Sequence, residues 1–289
     1  MNSHASASTK RTAGLQGPAL SASRAKEYER CPLQYRLHVV DRIQDPPTRH
    51  TALGTLIHSV LERLFDLPAP ERSAEAALEL FEAQWRATRE TDPRVLELFE
   101  GDADLAAWID GARDLVSGYF AIENPQWLAP AAREQLVEAV TPSGVRLRGF
   151  IDRIDSNAEG ALRVVDYKTG KAPSPRFQDE ALFQMRFYAL LLSLVSRLPA
   201  RTQLVYLRTG QVLTFDPTAD DIARFSEEIE ALWARIERDA ERGEFAPRSN
   251  PLCPWCHVQS LCPLFDGRTP EPPEGGFERL LRTRVARGA

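Results

Sequence analysis

Apolar residues fall at helical spacing over the first part of the chain and change character near Glu134, where strand-like alternation begins. From Leu20 onward, Tyr28, Leu33 and Leu37 recur at helical intervals, with Ser21 or Ser23 placed to cap the first turn. Pro46-Pro47 breaks this pattern. Leu53, Leu56, Ile57, Val60, Leu61 and Leu64 then predict an amphipathic helix ending at Leu67-Pro68. Residues 72 to about 122 predict two or three more helices, divided at Asp92-Pro93 and Gly101. They carry Leu80, Phe81, Trp85, Leu96, Phe99, Trp108 and Tyr119 but no recognisable chemistry. Gln135 to Val140 predicts a strand and Pro142-Ser143-Gly144 a turn. Val145 to Asp155 and Ala161 to Thr169 predict two strands of a hairpin. A long helix is expected from about Asp179 to Leu198, followed by a second hairpin of Gln203 to Leu207 and Gln211 to Phe215. A last helix is expected from Thr218 to about Arg242, with Thr218 and Asp221 as a capping box and Gly243 as its stop. No internal repeat is visible. This order predicts an α/β (α+β) fold with a mixed sheet flanked by helices.

A chain of 289 residues can bury a sizeable core, as one large domain or two small ones. Residues 1 to about 18 are rich in Ser, Ala, Thr and Gly and read as a disordered tail. There is neither a charged n-region followed by an apolar run nor a stretch of membrane-spanning length, so the expected location is cytoplasmic, with no membrane contact. The net charge of −5 argues against a broad nucleic-acid footprint. Basic runs do occur locally, at Arg24, Lys26, Arg30, Arg36, His38 and Arg42 and at Arg279, Arg282, Arg284 and Arg287; such runs are more often solvated faces than binding sites.

The hairpin carries the first candidate chemistry, in G-F-I-D-R-I-D (Gly149 to Asp155) and V-V-D-Y-K-T-G (Val164 to Gly170). Side chains alternate along a strand, so Asp166 and Lys168 share a face. A hairpin centred near Ala158 sets Asp152 opposite Val164, with Asp166 one diagonal step away, about 7–8 Å. Phe150, Ile154, Leu162 and Val164 are expected on that same face. Two carboxylates so placed can converge on a divalent cation, with Lys168 beside them. The plainer alternative is a surface hairpin with an Asp166–Lys168 salt bridge. The trio suits phosphodiester hydrolysis by Mg²⁺ or Mn²⁺, which prefer carboxylate and water ligands. His58 and Glu62 stand one turn apart on the earlier amphipathic helix, and Gln184 and Tyr188 are an i,i+4 pair on the helix after the hairpin. Residues of these types are more often packing than site residues.

All four cysteines have a place in a second candidate site. Cys253, Cys256 and Cys262 form C-x2-C-x5-C, and Cys31 lies far upstream before Pro32. In an unexported chain such clustering suits a soft-metal site better than disulfides. Cys-Pro, found here at Cys31, Cys253 and Cys262, is common beside iron–sulfur ligands. Three unrelated thiols plus a stray one remain the plain alternative.

The ordered set G-T-L-I-H, G-F-I-D-R-I-D, V-D-Y-K-T-G, Q-M-R-F-Y and the split C…C-x2-C-x5-C resembles the RecB-like, AddB-like nucleases of the PD-(D/E)xK superfamily, in its iron–sulfur branch. The resemblance spans about Leu20 to Phe265 and implies a restriction-endonuclease-like core. It implies a nuclease domain over 19–268, a helical insertion at about 70–130, a cluster-binding segment at about 250–265 that clasps the two ends, and a basic tail over 269–289. It further implies His58, Asp152, Asp166 and the Tyr167 carbonyl as ligands of Mg²⁺ or Mn²⁺, Lys168 as the catalytic lysine, and Gln184 and Tyr188 as a Q-x3-Y motif beside the site. Cys31, Cys253, Cys256 and Cys262 match ligands of a 4Fe–4S cluster. Ile151 stands where the superfamily's name places Pro, a residue this branch commonly lacks. Glu138 aligns with an acidic residue of the preceding strand.

The implied activity is a metal-dependent DNA nuclease, exonuclease-like, acting on single strands or ends in repair or recombination. No G-x-x-x-x-G-K-[ST] loop is present, so unwinding would need a separate helicase partner. Three other readings stay open: a non-catalytic iron–sulfur DNA-binding or scaffold subunit, a zinc-bound interaction module using the cysteines with His257, and a CRISPR spacer-processing nuclease.

Overall fold

The computed structural model describes residues 18–284. The tail expected over residues 1–18 lies outside the described residues except for Pro18. Helix α1 (Ala22–Arg30) begins where the Ser21 hydroxyl accepts from the Arg24 amide, and it stops at Cys31, because Pro32 restarts the chain as α2 (Pro32–Val39). Thr48 and Thr51 form a reciprocal cap for α3 (Arg49–Leu64). Two further long helices follow, α4 (Ala74–Thr91) and α5 (Asp102–Tyr119). The sheet comprises β1 (Pro130–Val140), β2 (Arg146–Ser156), β3 (Leu162–Lys168), β4 (Arg201–Tyr206) and β5 (Gln211–Phe215), in that spatial order. Helix α6 (Asp179–Val195) crosses from β3 to β4, which makes this the sheet's parallel pair; its other pairs are antiparallel. Helices α7 (Ala219–Arg242) and α8 (Gly276–Leu281) close the described chain. The result is a mixed sheet flanked by helices, consistent with a restriction-endonuclease-like core.

Each face of the sheet buries its own apolar layer. On one side Ile151, Ile154 and Val164 pack with Phe187, Leu190 and Leu191 of α6 and with Phe225, Ile229 and Trp233 of α7. On the other, Val165, Tyr167 and Val205 pack with Ile57, Val60 and Leu61 of α3, Phe81 and Trp85 of α4 and Tyr119 of α5. The predicted α3 stripe is therefore the element that brings His58 to the back of the hairpin. On this second side, buried Arg153 pairs with Glu123 at 2.8 Å and Asp155 at 3.1 Å and donates to the Tyr167 hydroxyl. Residues 269–284, read from sequence as part of a basic tail, contain α8. There Leu280 and Thr283 are buried, the Thr283 hydroxyl donates to the Pro18 carbonyl at 2.9 Å, and Arg284 pairs with Glu237 at 2.9 Å.

The sheet forks at the hairpin. Strands β2 and β3 pair over four rows, from Ser156–Leu162 to Arg153–Val165, and beyond that point β3 continues alongside β4 as far as Lys168–Tyr206. This corrects the expected register. Ile154, not Asp152, lies opposite Val164, because the turn carries Gly160 at φ 78° and the hairpin centres one residue later than Ala158. The next row in that register holds Asp152 and Asp166. Alternation also fails here. Leu147 and Ile151 share a buried layer with Ile154, so the phase of β2 inverts at Asp152. Its neighbour β1 inverts across Glu134, whose φ of 41° lies in the left-handed region that a non-glycine residue adopts only under strain. Phe150, expected in the apolar layer, is consequently 58 % exposed.

Candidate active site

The fork is where acidic side chains converge. One Asp152 carboxylate oxygen accepts from the Tyr167 amide at 2.6 Å, taking the place of the ladder partner that β3 loses as it leaves β2. The other oxygen lies 3.4 Å from His58 Nδ1. Glu134 Oε1 is 3.9 Å from the same nitrogen. His58, Glu134 and Asp152 each offer a ligand atom within 4.8 Å of the others. Asp166, 3 % exposed, has one oxygen held by the Gln184 amide at 2.8 Å and the Tyr188 hydroxyl at 3.1 Å. Its other oxygen is paired with the Lys168 ammonium at 2.6 Å. Gly149 makes the α6 contact possible. A Cβ there would come 2.8 Å from Leu191 and 3.1 Å from the Tyr188 ring.

The electrostatics are those of an acidic cage in search of a cation. Burial pushes the Asp166 carboxyl up; Lys168 opposes this and Asp152 reinforces it. Glu134 is also raised, by burial and then by the Asp152 charge. Burial works against the charge on Lys168, but Asp166 outweighs it and the ammonium is held more firmly than usual. Burial likewise opposes a charge on His58, yet Asp152, Asp166 and Glu134 together lift it to about 9. Its geometry agrees. His58 Nε2 is 2.9 Å from the Tyr167 carbonyl oxygen, which can only accept, so that nitrogen carries a hydrogen. Nδ1 faces the Asp152 and Glu134 carboxylates, a setting that favours the imidazolium form where a metal ion would be held. The donor set, an imidazole with three carboxylates and a backbone carbonyl, fits a divalent cation.

The sequence-derived residues His58, Asp152, Asp166, Tyr167, Lys168, Gln184 and Tyr188 thus meet at one place. Glu138 does not join them; it lies 3.8 Å from Arg146 at the far end of β1, and Glu134 is the acid that β1 contributes. Sequence alternation missed Glu134 because the expected strand began after it, and the one available signal was the change of pattern at that residue. Elsewhere Cys31, Cys253, Cys256 and Cys262 line one cavity of about 190 Å³ with Leu33, Leu37 and Trp255. All four thiols are free. The Cys31 and Cys253 sulfurs accept from the Arg248 and Asn250 amides at 3.5 and 3.3 Å. No three of the four sulfurs lie within 4.8 Å of one another, and His257 is exposed and does not line this cavity.

An acidic cage able to hold a metal ion at the fork of a mixed sheet, with a lysine two residues beyond an aspartate, is the pattern of one class of nucleases. Residues 19–263 match the model of the PD-(D/E)XK nuclease superfamily, and the chain belongs to that superfamily. Among individual proteins it is similar to the Gene 69 protein of Mycobacterium phage L5, 26 % identical over 86 % of this chain and 97 % of that one. The Gene 69 protein of Mycobacterium phage D29 is 24 % identical over the same shares. The fold is similar to the crystal structure of a "Putative exonuclease" from Eubacterium rectale, with a TM-score of 0.51 and 16 % identity over 82 % of this chain and 86 % of that one. Among the described residues no helix is long and apolar enough to cross a membrane.

Proposed function

We propose that this nuclease is a Mg²⁺- or Mn²⁺-dependent deoxyribonuclease of the RecB-like type, working as an exonuclease at DNA ends in cytoplasmic repair or recombination, with unwinding supplied by a separate helicase. The observation that carries the reading is the meeting of His58, Glu134 and Asp152 with the Asp166–Lys168 pair at the sheet fork. His58, Asp152, Asp166 and the Tyr167 carbonyl, joined by Glu134, would hold the cation. When bound, it supplies Lewis-acid polarisation of the phosphate and acidifies a water. Gln184 and Tyr188 fix one oxygen of Asp166 and so aim the other at the site. Lys168 orients the attacking water and offsets the negative charge that develops on the phosphate. The intact set of acids and lysine disfavours the non-catalytic scaffold.

The resemblance to the iron–sulfur branch is carried further by the cysteine cavity. What supports a cluster is that all four cysteines of the split motif line one cavity. Cys31, Cys253, Cys256 and Cys262 would hold it and join the start of α2 to the segment after α7.

Incubating anaerobically purified protein with labelled single- and double-stranded DNA and Mg²⁺ or Mn²⁺ tests the activity. Cleavage should vanish in EDTA and in Asp152→Asn and Asp166→Asn; undiminished cleavage in any of these refutes the mechanism. Iron and sulfide analysis tests the cluster, which stoichiometric zinc without iron would exclude.

A further inference from the structure

Strand β2 has one edge that is claimed twice and left open in between. Leu20 bonds to it at one end, its amide donating to the Arg146 carbonyl and its carbonyl accepting from Arg148, both at 2.9 Å. Strand β3 pairs with it from Arg153 onward. Gly149 to Asp152 pair with neither. This window opens into a groove of about 490 Å³ between α1, β2 and α6. Lys168, Gln184 and Tyr188 line its inner part, so the groove leads directly to the carboxylates.

The groove wall is cationic and holds one exposed aromatic ring. Phe150 presents 58 % of its surface to solvent. Exposed apolar side chains occur elsewhere on this surface, Trp127 and Phe177 among them; what sets Phe150 apart is its place on the groove that Lys168, Gln184 and Tyr188 also line. Arg148, two residues earlier on β2, is exposed and makes no ion pair among the described residues. Arg24 lines the opposite side and is braced by Glu27 at 2.5 Å, which in turn bonds to His38 at 2.5 Å. Lys26 lies 5.0 Å over the Phe183 ring and pairs with Glu29 at 2.7 Å. Against these stands the acid Glu180. A flat apolar face beside the unpaired guanidinium of Arg148 is the chemistry that receives an unstacked base and its phosphate.

We infer that this groove takes the single-stranded part of the nucleic-acid substrate, with a base stacked on Phe150 and the adjoining phosphate held by Arg148. The inference rests on the nuclease reading for its occupant. A duplex keeps its bases stacked on each other and offers no face to Phe150, so the ring selects strands that are already separated.

Binding is measured by fluorescence anisotropy in an Asp166→Asn background, with a short labelled oligothymidylate and with a blunt duplex. Phe150→Ala should weaken single-strand binding by about tenfold or more while leaving duplex binding unchanged, and Phe150→Trp should restore it. Arg148→Ala should reduce the slope of log affinity against log salt by about 0.7 on the single strand. Thermal melts guard against misfolding, which the exposed position of Phe150 disfavours. Unchanged single-strand affinity in Phe150→Ala, or equal losses on single strand and duplex, overturns the inference. Cleavage by the unaltered protein separates the two readings. If it cleaves DNA and Phe150→Ala binds and cleaves equally well, the groove assignment falls and the nuclease stands. If it binds through Phe150 yet never cleaves with Mn²⁺, the nuclease reading falls and the groove stands.

Discussion

His58→Gln should remove a pH-dependent part of the stability of the metal-free protein. In the folded chain Nε2 donates to the Tyr167 carbonyl, and Nδ1 lies 3.4 Å from Asp152 and 3.9 Å from Glu134, so both carboxylates favour the charged ring. A rise from 6.5 to about 9, at about 1.4 kcal/mol per pH unit, corresponds to about 3 kcal/mol. The sign follows from the direction. A folded value above the unfolded one gives stabilisation that is complete below about pH 6.5 and fades as pH rises through about 9. Urea unfolding in EDTA at pH 6 and pH 9.5 would read this. The stability gap between unaltered protein and His58→Gln should shrink by about 3 kcal/mol from the lower to the higher pH. A divalent ion must displace the same proton, so calorimetry in two buffers of different ionisation enthalpy should show close to one proton released per Mn²⁺ bound near neutral pH. A gap that is constant with pH, or metal binding without proton release, would refute the imidazolium.

Three further outcomes are expected. Lys168→Ala should lower turnover on the order of 10²–10³-fold with metal affinity largely kept, since it removes a stabilising charge and no ligand; near-normal turnover would reduce Lys168 to a salt-bridge partner of Asp166. Gly149→Ala should displace the Tyr188 ring and cost about 1–3 kcal/mol, with turnover falling alongside because Asp166 loses a brace; a variant as stable and active as its parent would show that α6 yields freely. Arg153→Met should destabilise the fold by about 1–3 kcal/mol in chemical denaturation, because Glu123 loses its nearer cation and the Tyr167 hydroxyl its buried donor, while Arg163 stays within 3.5 Å of Glu123 and 2.7 Å of Asp155; an unchanged stability would count against that account.

The helices were legible because their buried stripes repeat without interruption. Ile222, Phe225, Ile229, Leu232, Trp233 and Ile236 mark α7, and Thr218 and Gly243 mark its ends. The residues at the site were also legible, since His58, Asp152, Asp166, Lys168, Gln184 and Tyr188 all stand at the fork. Their arrangement was not. A period of two carries no information about where the period breaks, and it breaks at Glu134 and Asp152. The register depended on the conformation of a few turn residues around Gly160. The pairing of β3 with β4 across α6 joins segments that no local pattern connects.

The bond from the Tyr167 amide to Asp152 changes what this aspartate can tell a reader of related sequences. Its carboxylate is at once a cation ligand and a substitute for a missing rung of the sheet. Replacing it with an apolar residue leaves a buried amide without an acceptor, at a cost of about 1–3 kcal/mol, whether or not any chemistry is at stake. A descendant that had abandoned cleavage would still be under pressure to keep an acceptor at this position, with Asn serving as well as Asp. Persistence of an oxygen-bearing residue at 152 is therefore weak testimony for enzymatic activity. The informative position is Lys168, whose ammonium among the described residues pairs with Asp166 alone and can drift once turnover no longer matters.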